Sequence, residues 1–217
     1  ERRRALAELL VGLAGKVDAV IVSDYSYGMC DEVLAEAIER FRKLSDAPIV
    51  VDPRHGGQRF RGVAGMTPNL EDLSRIGGVR LDLLDSQAAI AETAGRVLDE
   101  GALEWLLVTL GKGGMTLFGR DQDARGLALP AFGSQAVVDV TGAGDTATAV
   151  FTLGLAAGLS AARAMLLSNA AAGVVVMKLG AGVCSPDELA QALASVPEAV
   201  RREVRAWPGM GEAVRLA

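Results

Sequence analysis

Histidine and cysteine are scarce in this 217-residue chain, which has one His and two Cys. His55, Cys30 and Cys184 are scattered, without the close spacing of a zinc ligand set, so a zinc centre is excluded. The two cysteines read as plain thiols of a reducing, cytoplasmic setting. No apolar run reaches the roughly 18 residues that suggest a membrane span. Glu8 interrupts the N-terminal apolar stretch, so a cleavable signal pattern is missing as well. Positive charge is not in excess either. A net charge of −5 argues against a general nucleic-acid binder, which needs basic patches to displace counterions from phosphates. A small polyanion, needing only a local pocket, stays compatible with that charge. Internal repeats and low-complexity tracts are absent. So is a P-loop, because Lys112 is followed by Gly113 and not by a hydroxyl that could meet magnesium.

Glycine, in contrast, is abundant. Its 26 copies exceed the usual share of about 7% and fall at loop positions, as many tight βα turns would require. Residues 1–217 suffice for one good core, and a single domain is the expectation. The chain opens on Glu1 directly into a helix over about Arg2 to Ala14, which reads as the continuation of a longer chain. A buried-strand signal follows at Asp18 to Val22, then a helix from Asp31 to Leu44, with Asp31 as its cap and Val33, Leu34, Ala37, Ile38 and Phe41 as its apolar stripe. Pro48 to Arg54 reads as a strand stopped by Pro53, and Thr67 or Asn69 caps a helix through Leu73. A helix from Ser86 to Glu100 precedes the strand Trp105 to Thr109 and a hairpin of Met115 to Phe118 with Gly126 to Leu129. Ser160 starts one more helix, and Pro186 to Ala194 is the last one expected. Strands alternating with helices imply an α/β fold with a mostly parallel sheet covered on both faces. Ligands of such sheets sit at the C-terminal ends of the strands. Asp24 and Arg54 occupy such ends and are the candidate substrate contacts.

The organising stretch is Val137 to Gly158, VVDVTGAGDTATAVFTLGLAAG. The β-branched Val137, Val138 and Val140 predict a short strand; Thr141, Gly142, Ala143 and Gly144 predict a tight loop; Asp145 then opens an apolar helix. A helix start presents about four unpaired N–H groups and the positive end of its dipole, and small residues let an anion approach them. Asp145 adds an acceptor-only carboxylate suited to taking a proton from an attacking hydroxyl. A plain helix cap remains open as the alternative. Gly142, Gly144 and Ala147 also satisfy G-x-G-x-x-A, but a dinucleotide site would need a following strand and an acidic residue about 20 positions on. A second helical stretch stands there instead.

DVTGAGDT followed by a small, apolar helix resembles the C-terminal signature of the ribokinase-like (PfkB) carbohydrate kinases. The resemblance implies a three-layer ribokinase-like fold, ATP and Mg2+ as cofactors, and a sugar or sugar phosphate as the small-molecule partner. It makes Asp145 the catalytic base and the amides of Gly142, Ala143 and Gly144 the anion hole. TPNLED is similar to the family's N-x-x-E motif, implying that Asn69 and Asp72 sit near magnesium and the nucleotide phosphates, with Asp in place of Glu. Thr109, Gly111 and Gly114 match the T-x-G-x-x-G turn beside the nucleotide, and Asn169 and Ala172 match small residues flanking the adenine. The runs SDYSYG, VVDPR, TPNLED, VTLGKGG, DVTGAGDT and SNAAAGVVVMKLG are most similar to the family branch that phosphorylates heptose 7-phosphate, over about residues 18 to 195. The tail, 196 to 217, carries no motif. Tyr27 stands where that branch has a lysine. Nothing corresponds to the family's first, sugar-contacting segment and β lid, through which its members pair as homodimers. The expectation is an ATP-dependent sugar kinase; a nucleotide-binding module without catalysis is the alternative.

Overall fold

The computed structural model describes residues 1–120, 123–133 and 137–207. Helix α1 (Arg2–Gly12) is followed by β1 (Val20–Ser23), α2 (Glu32–Arg42), β2 (Ile49–Asp52), β3 (Gly65–Met66), α3 (Leu70–Ile76), α4 (Gln87–Gly101) and β4 (Trp105–Thr109). The hairpin β5 (Met115–Gly119) and β6 (Leu127–Leu129) comes next, then α5 (Ala143–Ala156), α6 (Ala161–Val175), α7 (Pro186–Ala194) and α8 (Glu198–Ala206). The six strands lie side by side in chain order; β1 to β4 run parallel and β4, β5 and β6 pair antiparallel.

Period-two alternation along the central strands builds the layers. Ile49 and Val51 of β2, with Leu106 and Val108 of β4, point into a core shared with Ile38 and Phe41 of α2, Leu73 of α3 and Val97 of α4. Val50, Trp105 and Leu107 point the other way, onto Phe151 of α5 and Met165 of α6. Trp105 meets Phe151 edge to face, with ring centroids 4.6 Å apart. The sheet is therefore buried on both faces, which is why these strands read as continuous apolar runs. Helix starts follow the expected chemistry: Asp31, Asn69, Ser86, Ser160 and Ser185 each accept a backbone N–H as N-cap, and Ser185 forms a full capping box with Glu188.

Three features depart from the sequence reading. No strand forms over Val137, Val138 and Val140. The N–H groups of Val138 and Asp139 donate instead to the Val176 carbonyl at the end of α6, at 2.8 and 3.1 Å, and Val138 is 58% exposed. A β-branched run makes a strand only where a neighbouring strand takes its backbone, and here a helix end takes it. The tail, which carries no motif and lies beyond the last helix expected, holds α8, whose Val204 is buried against the α5–α6 layer. Its alternating acidic and basic residues form the solvated face of a short amphipathic helix. Finally, β3 was not anticipated: two residues wide, it bridges β2 and β4.

That bridge demands a glycine. A Cβ on Gly65 would lie 2.2 Å from the Trp105 ring and 2.3 Å from its carbonyl oxygen. Gly65→Ala should therefore cost about 1–3 kcal/mol, the usual scale of overpacking. Urea denaturation would show it as a lower midpoint at unchanged slope, and an unchanged midpoint would contradict the packing described.

Candidate active site

The C-terminal ends of β1 to β4 converge on the N-terminus of α5. Gly142 takes φ +77°, a left-handed conformation that L side chains rarely adopt, and thereby turns the chain into α5. The approach is pinned by Asp139. Its Oδ1 accepts from the Thr141 N–H (2.9 Å) and hydroxyl (2.7 Å), and its Oδ2 from the Gly180 N–H (3.0 Å). These donors, the Thr141 hydroxyl first, hold the Asp139 carboxyl below the ordinary carboxylate range. Neither Gly142 nor Gly144 has an atom within 4 Å of where a Cβ would stand, so the backbone is open at both; the Ala143 N–H, expected to bind an anion, instead donates to the Val140 carbonyl at 3.2 Å because the turn into the helix closes on it.

Beside it lies a cavity of about 180 Å³ lined by Thr109, Gly111, Gly114, Ala143, Gly144, Asn169 and Ala172, among others. It thus brings together seven of the residues singled out in the sequence. Val137, Val140, Phe132 and Val176 add apolar walls. Sequence reading missed them as site residues; the only available signal was that Asn169, Ala172, Gly173 and Val176 fall on one helical face. Asn169 donates from Nδ2 to the Pro130 carbonyl at 2.8 Å, tying α6 to the segment after β6. A Cβ on Gly173 would come within 2.6 Å of the Phe132 carbonyl oxygen, so this glycine lets the cavity wall sit close to α6.

Asp145 stands in the first turn of α5 and is exposed. The Tyr25 hydroxyl donates to its Oδ1 at 2.6 Å, across 120 residues of sequence. Below lies a second group of carboxylates. Asp52, at the end of β2, has its pKa pushed up to about 6, by burial first and then by the negative charges of Asp145 and Asp72; the Thr67 hydroxyl and Arg54 oppose the rise. Thr67 Oγ1 lies 3.3 Å from Asp52 Oδ1 and 2.9 Å from Thr148 Oγ1, a buried polar link from β2 through the end of β3 to α5. Sequence reading saw Asp52 only as a charged strand end.

Asn69 and Asp72 are placed differently from Asp145. Asn69 pairs with Thr109 in an isolated bridge at the ends of the strands, and its Oδ1 accepts the Asp72 N–H at 2.8 Å. Asp72 is 2% exposed and accepts from Arg75 Nη1 at 2.8 Å. Burial raises its pKa, opposed chiefly by Arg54. Neither residue lines the cavity. Asp24 is buried, and its two oxygens accept backbone N–H groups of Ser26 (2.7 Å) and His55 (3.0 Å), so it braces the turn that carries Tyr25. Arg54 is exposed on the neighbouring loop. No helix among the described residues is long and apolar enough to cross a membrane.

The elevated Asp52 pKa makes a prediction about stability. The native carboxyl holds its proton more tightly than the unfolded chain, so its contribution is most favourable below the ordinary value of 3.8 and declines as pH rises to about 6. Asp52→Asn removes the buried charge. Thermal melts should show the variant more stable than the parent by roughly 1–2 kcal/mol at neutral pH, with the gain vanishing near pH 4. A gain independent of pH would contradict the assignment.

Comparison with known proteins gives this geometry a family. Residues 3–188 match the profile described as pfkB family carbohydrate kinase. The bifunctional protein HldE of Halorhodospira halophila is 38% identical over 215 residues, covering 98% of this chain and 43% of that protein. The bifunctional protein HldE of Vibrio parahaemolyticus is 39% identical over 178 residues, covering 82% and 36%. The chain thus spans less than half the length of these curated relatives. Among solved structures, Arabidopsis thaliana ribokinase complexed with ribose and ATP superposes with a TM-score of 0.72 at 22% identity, over 84% of this chain and 58% of that one. Phosphofructokinase-2 from Escherichia coli gives 0.74 at 20% identity, over 88% and 61%. The fold is three-layer and ribokinase-like, and the chain belongs to the pfkB family of carbohydrate kinases.

Proposed function

We propose that this chain carries the nucleotide-binding and catalytic part of an ATP-dependent sugar kinase. Its acceptor would be the hydroxyl of a sugar phosphate, D-glycero-D-manno-heptose 7-phosphate. The observation that carries the reading is the position of Asp145: a carboxylate in the first turn of α5, beside the open backbone at Gly142 and Gly144 and next to a largely apolar cavity. The heptose acceptor rests on the similarity of the sequence runs to that branch of the family and on the HldE relatives.

The cavity suits ATP on two counts. Its apolar lining, Val140, Phe132, Ala172 and Val176, suits a flat base, and Thr109, Gly111 and Gly114 line the same cavity. The cavity also reaches Ala143 and Gly144 at the start of α5, where the Gly144 N–H and the helix dipole favour phosphate, the Ala143 N–H being taken by the Val140 carbonyl. Magnesium fits less directly. Asn69 Oδ1 already caps α3 and Asp72 is paired with Arg75, so these two residues would meet a phosphate-borne ion through its water. Bound in that way, the ion neutralises phosphate charge.

In the transfer itself, Asp145 accepts the acceptor hydroxyl's proton as that oxygen attacks the γ-phosphorus and the bond to the ADP oxygen breaks. The amides of Gly142 and Gly144 would meet the charge that grows on the γ-phosphoryl oxygens, where preorganised donors contribute most; that of Ala143 would have to leave the Val140 carbonyl to join them. Asp24 and Arg54 would shape the acceptor side, Asp24 by holding its turn and Arg54 through its charge. We place the reaction in the cytoplasm, where ATP is available, and take a homodimer as the assembly.

Two measurements test the reading. Calorimetric titration with ATP and magnesium should saturate while NAD gives no saturable heat; absence of ATP binding would reject the donor site. Asp145→Asn should leave ATP affinity nearly unchanged and lower turnover at least ~100-fold, the scale of a lost general base. ATP binding by the parent without turnover of any acceptor would favour a nucleotide-binding module that lacks catalysis.

A further inference from the structure

Asp145 does not stand alone, and the group on it comes from the far side of the mouth. Tyr25 lies just beyond β1, in a turn that is built to present it. Ser26, the next residue, holds φ +62°, uncommon for a side chain other than glycine. Asp24 Oδ1 accepts the Ser26 N–H and Oδ2 accepts the His55 N–H, closing the turn from both sides. The Ser26 hydroxyl and His55 Nδ1, 2.7 Å apart, fasten it to the loop after β2. With its base fixed in this way, the phenol reaches Asp145 Oδ1 at 2.6 Å. Its other polar surroundings are Ser23 and the Asp52 carboxylate.

Building on the kinase reading, we propose that Tyr25 is a positioning residue for Asp145: its phenol holds one carboxylate oxygen, fixing the plane of the group and leaving the other oxygen to the acceptor hydroxyl. A carboxylate on an exposed helix turn otherwise samples several rotamers, and a general base works only in one geometry. A hydrogen bond to an ionised acceptor is strong enough to select that rotamer. Tyr25 also links the acceptor-side turn to the donor-side helix, so the base is set in place only when β1 and α5 are both in register. The neighbouring Tyr27 is 89% exposed and takes no part.

The test has one arm that needs no acceptor and one that does. Tyr25 and Tyr27 are the two tyrosines of the sequence, so in a Tyr27→Phe background the ultraviolet signal of phenol ionisation reports Tyr25 alone. The Asp145 contact holds the Tyr25 pKa above the ordinary 10.0. Asp145→Asn should lower the midpoint, with circular dichroism recorded alongside to show that the fold persists; an unmoved midpoint overturns the proposal, whatever the activity. In the second arm, Tyr25→Phe is assayed with magnesium-ATP and heptose 7-phosphate. The expected result is kcat roughly 10-fold lower, with KM for ATP and the thermal midpoint unchanged. Unchanged kcat with a lower KM for the sugar would overturn positioning, because Tyr25 would then only obstruct the acceptor's place. A parent enzyme that turns over no sugar would overturn the kinase reading and the positioning role with it, yet a shifted midpoint would still establish the contact.

Discussion

The turn from Asp139 to Gly142 is the constraint on which the site depends. A helix N-terminus attracts anions only if its amides face a space a ligand can enter, and that direction is set by the residues leading into the helix. Here the Asp139 carboxylate bonds at once to Thr141 and to Gly180, locking the turn against the end of α6. Gly142 then reverses the chain at φ +77°. Without that pair, α5 would still pack through Phe151 onto Trp105, but its N-terminus would have no fixed aim.

Packing then carries the aim into the rest of the molecule. Ser168 of α6 donates to the Ala147 carbonyl of α5 at 2.9 Å, and Thr148 meets Thr67 at 2.9 Å, so α5 is tied both to its neighbouring helix and to the sheet below. Both links lie within one turn of Asp145. The buried threonines replace what an apolar core would do with shape alone, because hydrogen bonds between buried hydroxyls have a direction. Asp52 sits at the end of this chain of contacts, where burial and two nearby carboxylates make its charge costly. A carboxyl perturbed in this way by burial and by neighbouring charges is a common feature of functional sites.

Most of the fold was legible in the sequence because its signals are local. Caps at Asp31, Asn69, Ser86, Ser160 and Ser185 act on amides two or three positions away. The apolar runs of β2 and β4 announce strands buried on both faces. Val137 to Val140 misled for the same reason: β-branched residues signal an extended backbone, and only the position of α6 decides what that backbone bonds to. Helix α8 escaped because most of its face is charged and a few contacts, chiefly through Val204, hold it down.

The family, the alternation of strands and helices, and the run from Thr141 to Asp145 that leads into α5 are all written in residues adjacent along the chain, and so could be read from it directly. Tertiary structure alone decided that Tyr25 meets Asp145, that Asp52 feels Asp145 and Asp72, and that Asp72 turns to Arg75 instead of the cavity. Tyr25 and Asp145 lie 120 residues apart, and no local propensity encodes such a distance. Sheet register and helix packing do, because they fix where each side chain stands only after the whole core has closed.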